Sequence, residues 1–213
     1  MQVVCVIATT GKRKKQLENA FDSLSFQAPV LVYDNSKNKD LTDNAKFLYI
    51  DAFNEPVYYL TCDDDLIYPK NYVEVMVENI EKYGIVTCHG RILKPDRNKY
   101  YKSDHEEFDF RHENKKARLI DVAGTGCTGF RTDFFSPEIA LSEYKRMSDL
   151  IFSLEAWKQG KTITYIEKPR DWIKSQPTED SIFKAESRGE QIQQVELMNK
   201  IIDLKFNEFS YGG

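Results

Sequence analysis

PVYYLTCDDDLIYP, residues 56–69, decides how this chain is read. Residues 56–62 form an apolar run rich in aromatic and β-branched side chains, the composition of a buried strand. The run ends directly in Asp63, Asp64 and Asp65. In an extended chain Asp63 and Asp65 face one way and Asp64 the other. Adjacent carboxylates repel one another, and a divalent cation relieves that repulsion. Oxygen ligands suit magnesium or manganese, and such a metal typically also takes substrate phosphates. The competing reading is a solvated acidic loop that caps the next helix, with Pro69 in its first turn. Position favours the metal, because α/β sheets bind ligands beyond the carboxyl ends of their strands.

Working outward, the order of elements sets the fold class. Residues 2–8 (QVVCVIA) read as a buried strand, broken by Thr9, Thr10 and Gly11. Leu17, Ala20, Phe21 and Leu24 give residues 12–25 a helical period. VLVYDNS (30–36) reads as a second strand and FLYIDA (47–52) as a short third. Val73, Val75, Met76, Val77 and Ile80 carry a helix that Gly84 stops, and IVTCHGRIL (85–93) reads as one further strand. This alternation predicts an α/β fold with a central, mostly parallel mixed sheet flanked by helices and right-handed crossovers. Thr9/Thr10, Asp34/Asn35/Ser36 and Asp63–Asp65 would then converge on one sheet edge.

Residues 94–117 are highly charged with scattered Tyr and Phe, and read as a long surface excursion. RLIDVA (118–123) reads as a strand, residues 145–158 as a helix ended by Gly160, KTITYIEK (161–168) as a last strand, and 188–206 as an amphipathic helix. No internal repeat breaks the chain, so one domain is expected over 1–213. Its parts are about 1–93, about 94–175 and a C-terminal helical segment, 176–213. The tail SYGG reads as a linker or a cut end, as in one part of a longer multidomain chain.

Composition excludes several classes. The 213 residues are 41% hydrophobic, enough to bury a core, so disorder as the main state is excluded. A net charge of −4 speaks against a nucleic-acid binder. The basic run Lys12, Arg13, Lys14, Lys15 is either a solvated helix start or a place for phosphate groups. No apolar run approaches roughly 18 residues, and no signal peptide is visible, so a cytoplasmic protein without a membrane span is expected. Cys5, Cys62, Cys88 and Cys127 lie far apart with no zinc spacing, and read as reduced thiols.

Other motifs fail on inspection. Gly11-Lys12 lacks the first glycine of a phosphate-binding loop, because Val6 stands there, and Arg13 replaces its Ser/Thr. Asp34-Asn35-Ser36 opens like a calcium loop, but Lys39 holds the glycine position and Ala45 that of the final acid. Asp171-Trp172 is a single dipeptide, not a propeller repeat. Gly124-Thr125-Gly126-Cys127-Thr128-Gly129 fits a dinucleotide fingerprint literally. That motif needs a helix opening at once, whereas RTDFFSPEIA carries Pro137 and no helical stripe. A glycine-rich wall that lets backbone approach a ligand is the better reading. Asp149, near the start of helix 145–158, is either a helix-dipole partner or a general base; Glu155 lies on the same helix.

Together these residues resemble the GT-A fold glycosyltransferases, most closely the family-2-like ones. The resemblance covers roughly residues 2–172. It rests on VVCVIATT, VLVYDNS, TCDDDLIYP, the GTGCTGF segment and MSDLIFSLEAWKQGKTITYI. It implies a single GT-A (Rossmann-like) domain moving a hexose or deoxyhexose from a UDP-sugar to an acceptor hydroxyl. The acceptor would be a glycan or glycoprotein, a viral capsid protein among the candidates. The resemblance gives Thr9, Thr10, Arg13 and Asp64 to the nucleotide pocket and Asp34 to the base. Asp63 would contact the ribose and share the metal, and Asp65 would hold Mn2+ (or Mg2+) on the diphosphate. Asp149 would be the catalytic base of an inverting reaction. Gly126, Cys127, Arg170 and Trp172 would shape the sugar and acceptor side. The family often has Glu-Asp where this chain has Ser148-Asp149, and His89 is the candidate further metal ligand, against a plain strand histidine. Two alternatives stay beside this: an NAD(P)-dependent oxidoreductase using Gly124–Gly129, and a non-catalytic carbohydrate- or protein-binding domain.

Overall fold

The structure, a computed structural model, describes residues 1–178 and 190–210, with side chains through Phe206. Its centre is a seven-stranded sheet. The members, in spatial order, are β2 (Val30–Asp34), β1 (Gln2–Thr9), β3 (Val57–Asp63), β10 (Cys127–Arg131), β5 (Ile85–Thr87), β11 (Ile163–Tyr165) and β8 (Arg118–Ile120). β10 and β8 run against the other five, so the sheet is mixed and mostly parallel, as expected. Two small sheets flank it: β12 (Lys174–Ser175) on β4 (Leu66–Ile67), and β7 (Glu106–Phe108) on β6 (Gly90–Ile92) on β9 (Val122–Ala123).

The period of two along β1 divides the core. Cys5 and Ile7 face α1 (Lys14–Ser25) and α2 (Tyr72–Tyr83), packing with Leu24, Met76 and Ile80. Val4 and Val6 face the other layer, with Tyr59, Phe130 and Phe152. That second layer holds α3 (Ser148–Lys158) and α4 (Ile192–Ser210), which pack on each other. Phe152 sits 5.2–5.6 Å from the rings of Phe47, Phe130 and Phe135, an aromatic cluster that fixes α3 on the sheet. Gly129 is the point of closest approach on the first side. A Cβ there would lie 2.5 Å from Leu60 and 3.0 Å from Ile80.

Several expectations are corrected. Residues 47–52 are not a strand. Thr42–Phe47 and Ile50–Ala52 are 3-10 turns. Phe47 and Ile50 are buried while Leu48 is exposed, a spacing of three that a strand does not give. Residues 85–93 are not one strand: β5 and β6 belong to different sheets, and the same holds for β8 and β9 within 118–123. Gly90 lies so close to β9 that a Cβ would meet Val122 O at 2.2 Å. Residues 94–117 are more than a surface excursion. Tyr100, Tyr101 and Phe108 join the core, and β7 lies within the segment. Pro69 precedes α2, its carbonyl accepting from Tyr72 N–H, rather than standing in the first turn. The final helix begins at Ile192; residues 179–189 and 211–213 of the expected C-terminal segment lie outside the described residues. No helix among the described residues is long and apolar enough to cross a membrane.

Candidate functional site

The parallel register brings the strand ends together. Thr9 pairs with Asp34 across β1 and β2, and Ala8 with Asp63 across β1 and β3. β10 runs the opposite way, so its first residue, Cys127, stands beside Cys62 at the same edge. A cavity of about 540 Å³ opens there. Thr9, Thr10, Arg13, Asp63, Asp64, Asp65, Gly126, Cys127 and Asp149 all line it. The expected convergence therefore holds for most of the candidate residues.

The three acids have different surroundings. Asp64 is buried, accepts Thr9 Oγ1 at 2.7 Å, and pairs with Arg13 at 2.8 Å. The same Arg13 nitrogen pairs with Asp65 at 3.0 Å. Burial and the charge of Asp63 push the Asp65 carboxyl up to about 6, against the pull of Arg13. Burial likewise raises Asp64, with Thr9 and Arg13 opposing. Asp63 is the most open of the three and pairs with the buried ammonium of Lys46. Its backbone N–H donates to Tyr68 Oη at 2.7 Å, and that hydroxyl donates to Gly126 O at 2.7 Å. Gly126 has to be glycine for Asp63 to sit here, because a Cβ would lie 2.1 Å from Asp63 Oδ2.

Asp149 lies in the first turn of α3, where the helix dipole favours a charged carboxylate. Its Oδ1 accepts Thr125 N–H and Thr125 Oγ1. Asp43 caps the same helix by accepting Ser148 N–H at 3.1 Å and Ser148 Oγ at 2.6 Å. Gly124-Thr125-Gly126 therefore forms the wall between the acid motif and Asp149. It runs into β10, a strand antiparallel to β3, and not into a helix. The glycines consequently lack the helix N-terminus that a dinucleotide site uses.

Three candidates sit apart from the cavity. Asp34 ends β2 beside Gly11, and its carboxylate, lowered chiefly by Ser36, accepts Ser36 N–H and Oγ. Its neighbour Asn35 lines the cavity instead. Trp172 packs on Tyr72 at 5.7 Å and donates to Asn71, while Arg170 is exposed; neither borders the cavity. His89 does border it, at the Asp149 end, edge-on to Phe110. Burial lowers its pKa, with Asp149 opposing. Its backbone donates to Thr87 Oγ1, and its Nδ1 has no hydrogen-bond partner among the described residues.

Sequence reasoning passed over Lys46, Asp43 and Arg91 and gave Thr125 no role of its own within the glycine-rich wall; all four line the cavity. Lys46 and Asp43 lay unseen because the turn carrying them borders the segment read as a strand. Arg91, in the stretch read as one strand, is buried under the rings of Tyr100 and Tyr101 of the misread excursion, 4.4 and 5.3 Å away. Four cysteines are buried and free, as expected. Among the described residues no group of three or more His, Cys, Asp or Glu is arranged to hold a metal ion by itself. Asp63 and Asp65 do offer two hard oxygen donors in a cluster whose acids outnumber Arg13 and Lys46. That donor set fits a divalent cation whose remaining ligands come from a diphosphate and water.

Comparison with known proteins gives two findings. Residues 6–137, more than half of the chain, match the family described as glycosyl transferase family 2. Among solved structures the chain is similar to A197 from STIV, at 13% identity and a TM-score of 0.46, over 84% of this chain and 87% of that one. No curated protein matches.

Proposed function

We propose that this chain, which belongs to glycosyl transferase family 2, moves a hexose or deoxyhexose from a UDP-sugar to the hydroxyl of a glycan or glycoprotein. The observation that carries the reading is the placement of Asp149 in the same cavity as Arg13, Asp63 and Asp65. An end where Arg13 and Lys46 stand among metal-competent carboxylates suits a diphosphate bound with a divalent cation, and a carboxylate across the glycine wall suits an acceptor hydroxyl.

The donor half is assigned to residues 1–93. Thr9, Thr10 and Arg13 hold the nucleotide, Asp64 fixes Arg13, and Asp34 takes the ring N–H of uracil. Asp63 and Asp65 would hold Mn2+ or Mg2+, which when bound would supply positive charge at the diphosphate leaving group. The acceptor half is assigned to residues 94–175, with Gly126 and Cys127 against the sugar and Arg170 and Trp172 on the outer surface. The C-terminal part is assigned to residues 176–213, within which α4 packs on α3. All three parts belong to one GT-A domain.

In the reaction the acceptor oxygen forms a bond to the anomeric carbon as the bond from that carbon to the diphosphate oxygen breaks. The hydroxyl proton goes to Asp149, and one such displacement inverts the centre. Thr125 fixes the carboxylate orientation, so the base is in place before the acceptor arrives. A base of this kind contributes roughly 10²–10⁴-fold. Arg13 and Lys12 stabilise the charge that develops on the leaving group. The test is UDP release from a panel of UDP-sugars with Asp149→Asn. UDP affinity stays and release falls at least about 100-fold. Release at the wild-type rate would remove Asp149 from this role.

A further inference from the structure

Lys46 is the least expected charge in the molecule. It lies between Ala45 and Phe47 in the 3-10 turn Thr42–Phe47, every one of the four residues Asn44–Phe47 being buried. Its ammonium pairs with Asp63, reaches Thr125 O at 3.4 Å, and feels Asp43 and Asp149. The side chain is 5% exposed, and its ammonium meets the Asp63 carboxylate directly. A buried lysine is costly unless paired, so the pairing with Asp63 is built into the fold.

We infer that Lys46 is a resident counter-charge of the acid motif, occupying Asp63 in the nucleotide-free protein and keeping divalent cations weakly bound until a nucleoside diphosphate arrives. This rests on the donor-site reading above and deepens it. Arg13 already bridges Asp64 and Asp65. With Lys46 on Asp63, the three carboxylates keep one net negative charge, a poor attraction for a free divalent cation. A diphosphate supplies the missing negative charge and further oxygen ligands. The ammonium then has a second set of anionic oxygens beside Asp63 to share. Metal and nucleotide thus bind as mutually dependent ligands, each raising the affinity of the other by the same factor.

The experiment is calorimetric titration of Mn2+ into the wild-type protein and Lys46→Met, each without and with saturating UDP. Methionine fills the buried stem and removes only the charge. The nucleotide-free variant should bind Mn2+ at least about tenfold more tightly than nucleotide-free wild type, since one positive charge beside the ligand is gone. Adding Asp63→Asn to the variant should cancel that gain. Wild type alone also tests the inference: UDP should raise its Mn2+ affinity at least about tenfold. Equal or weaker Mn2+ binding by Lys46→Met overturns the role of Lys46 while leaving the transferase reading standing. Wild-type Mn2+ affinity unaffected by UDP overturns the donor-site reading as well, because coupling between the two ligands is reciprocal. No Mn2+ binding by any form, with or without UDP, overturns both.

Discussion

Among the described residues the Asp149 carboxylate is held by Thr125, which donates its N–H at 2.8 Å and its Oγ1 at 2.7 Å to the same Oδ1. Thr125 lies between Gly124 and Gly126, so the peptide that separates the acid motif from Asp149 also aims Asp149. The hydroxyl stands 2.8 Å from Ser148 Oγ, itself bonded to Asp43. Thr125→Val removes the hydroxyl and keeps the shape and the N–H. It should lower kcat by roughly tenfold with UDP affinity unchanged, and lower stability by about 1–2 kcal/mol. Steady-state kinetics beside UDP titration checks this. An unchanged kcat would show that the hydroxyl does not aim the base.

Gly126→Ala acts on the other side of the same wall. The new Cβ meets the Asp63 carboxylate at 2.1 Å, and that side chain is partly open and can move. Asp63 should therefore leave Lys46, weakening UDP binding in the presence of Mn2+ by roughly tenfold or more. The melting point should fall only a few degrees. Retention of wild-type affinity would mean that Asp63 does not need its present position.

How much of this was legible follows from where the signals lie. β1, β3 and the acid motif declare themselves because a buried inner strand reads as an unbroken apolar run, and three acids at its carboxyl end break that run abruptly. Asp149 was visible only as an acid in a first turn, and its partnership with Thr125 is a contact across 24 residues that no local pattern carries. Lys46 was invisible for a plainer reason. A lysine beside apolar residues reads as surface, and FLYIDA alternates too little to separate a strand from a 3-10 turn. Arg91 was lost inside the stretch 85–93 read as one strand, and its ring partners were lost with the excursion: the charges of 94–117 mask Tyr100 and Tyr101, whose rings go inward. Their backbone N–H groups bond Gln191 from beyond the third helix, a constraint absent from local sequence.

Acid should weaken the wall that carries Phe110. Asp109 tends upward from burial, but hydrogen bonds from Arg111 override that and bring it down to about 2, below its ordinary 3.8. A depressed folded-state value stabilises the fold above pH 3.8, and that contribution is lost as pH falls toward 2. It amounts to about 2 kcal/mol for this largely shielded carboxylate. Asp109→Asn should lower stability at neutral pH by about that amount and flatten the acid limb in that window. Denaturant unfolding at several pH values reads both effects. Parallel acid limbs for the two proteins would contradict the assignment.

The central claim is that the cavity at the carboxyl edge of β1 and β3 takes a uridine diphosphate with the help of Asp63 and Asp65. Calorimetric titration of UDP, with CDP and GDP as controls, in Mn2+ and in EDTA, tests it most directly. The account predicts saturable binding of UDP alone, lost in EDTA and lost in Asp65→Ala. Absence of UDP binding under every condition, or binding indifferent to Asp65→Ala, would contradict it.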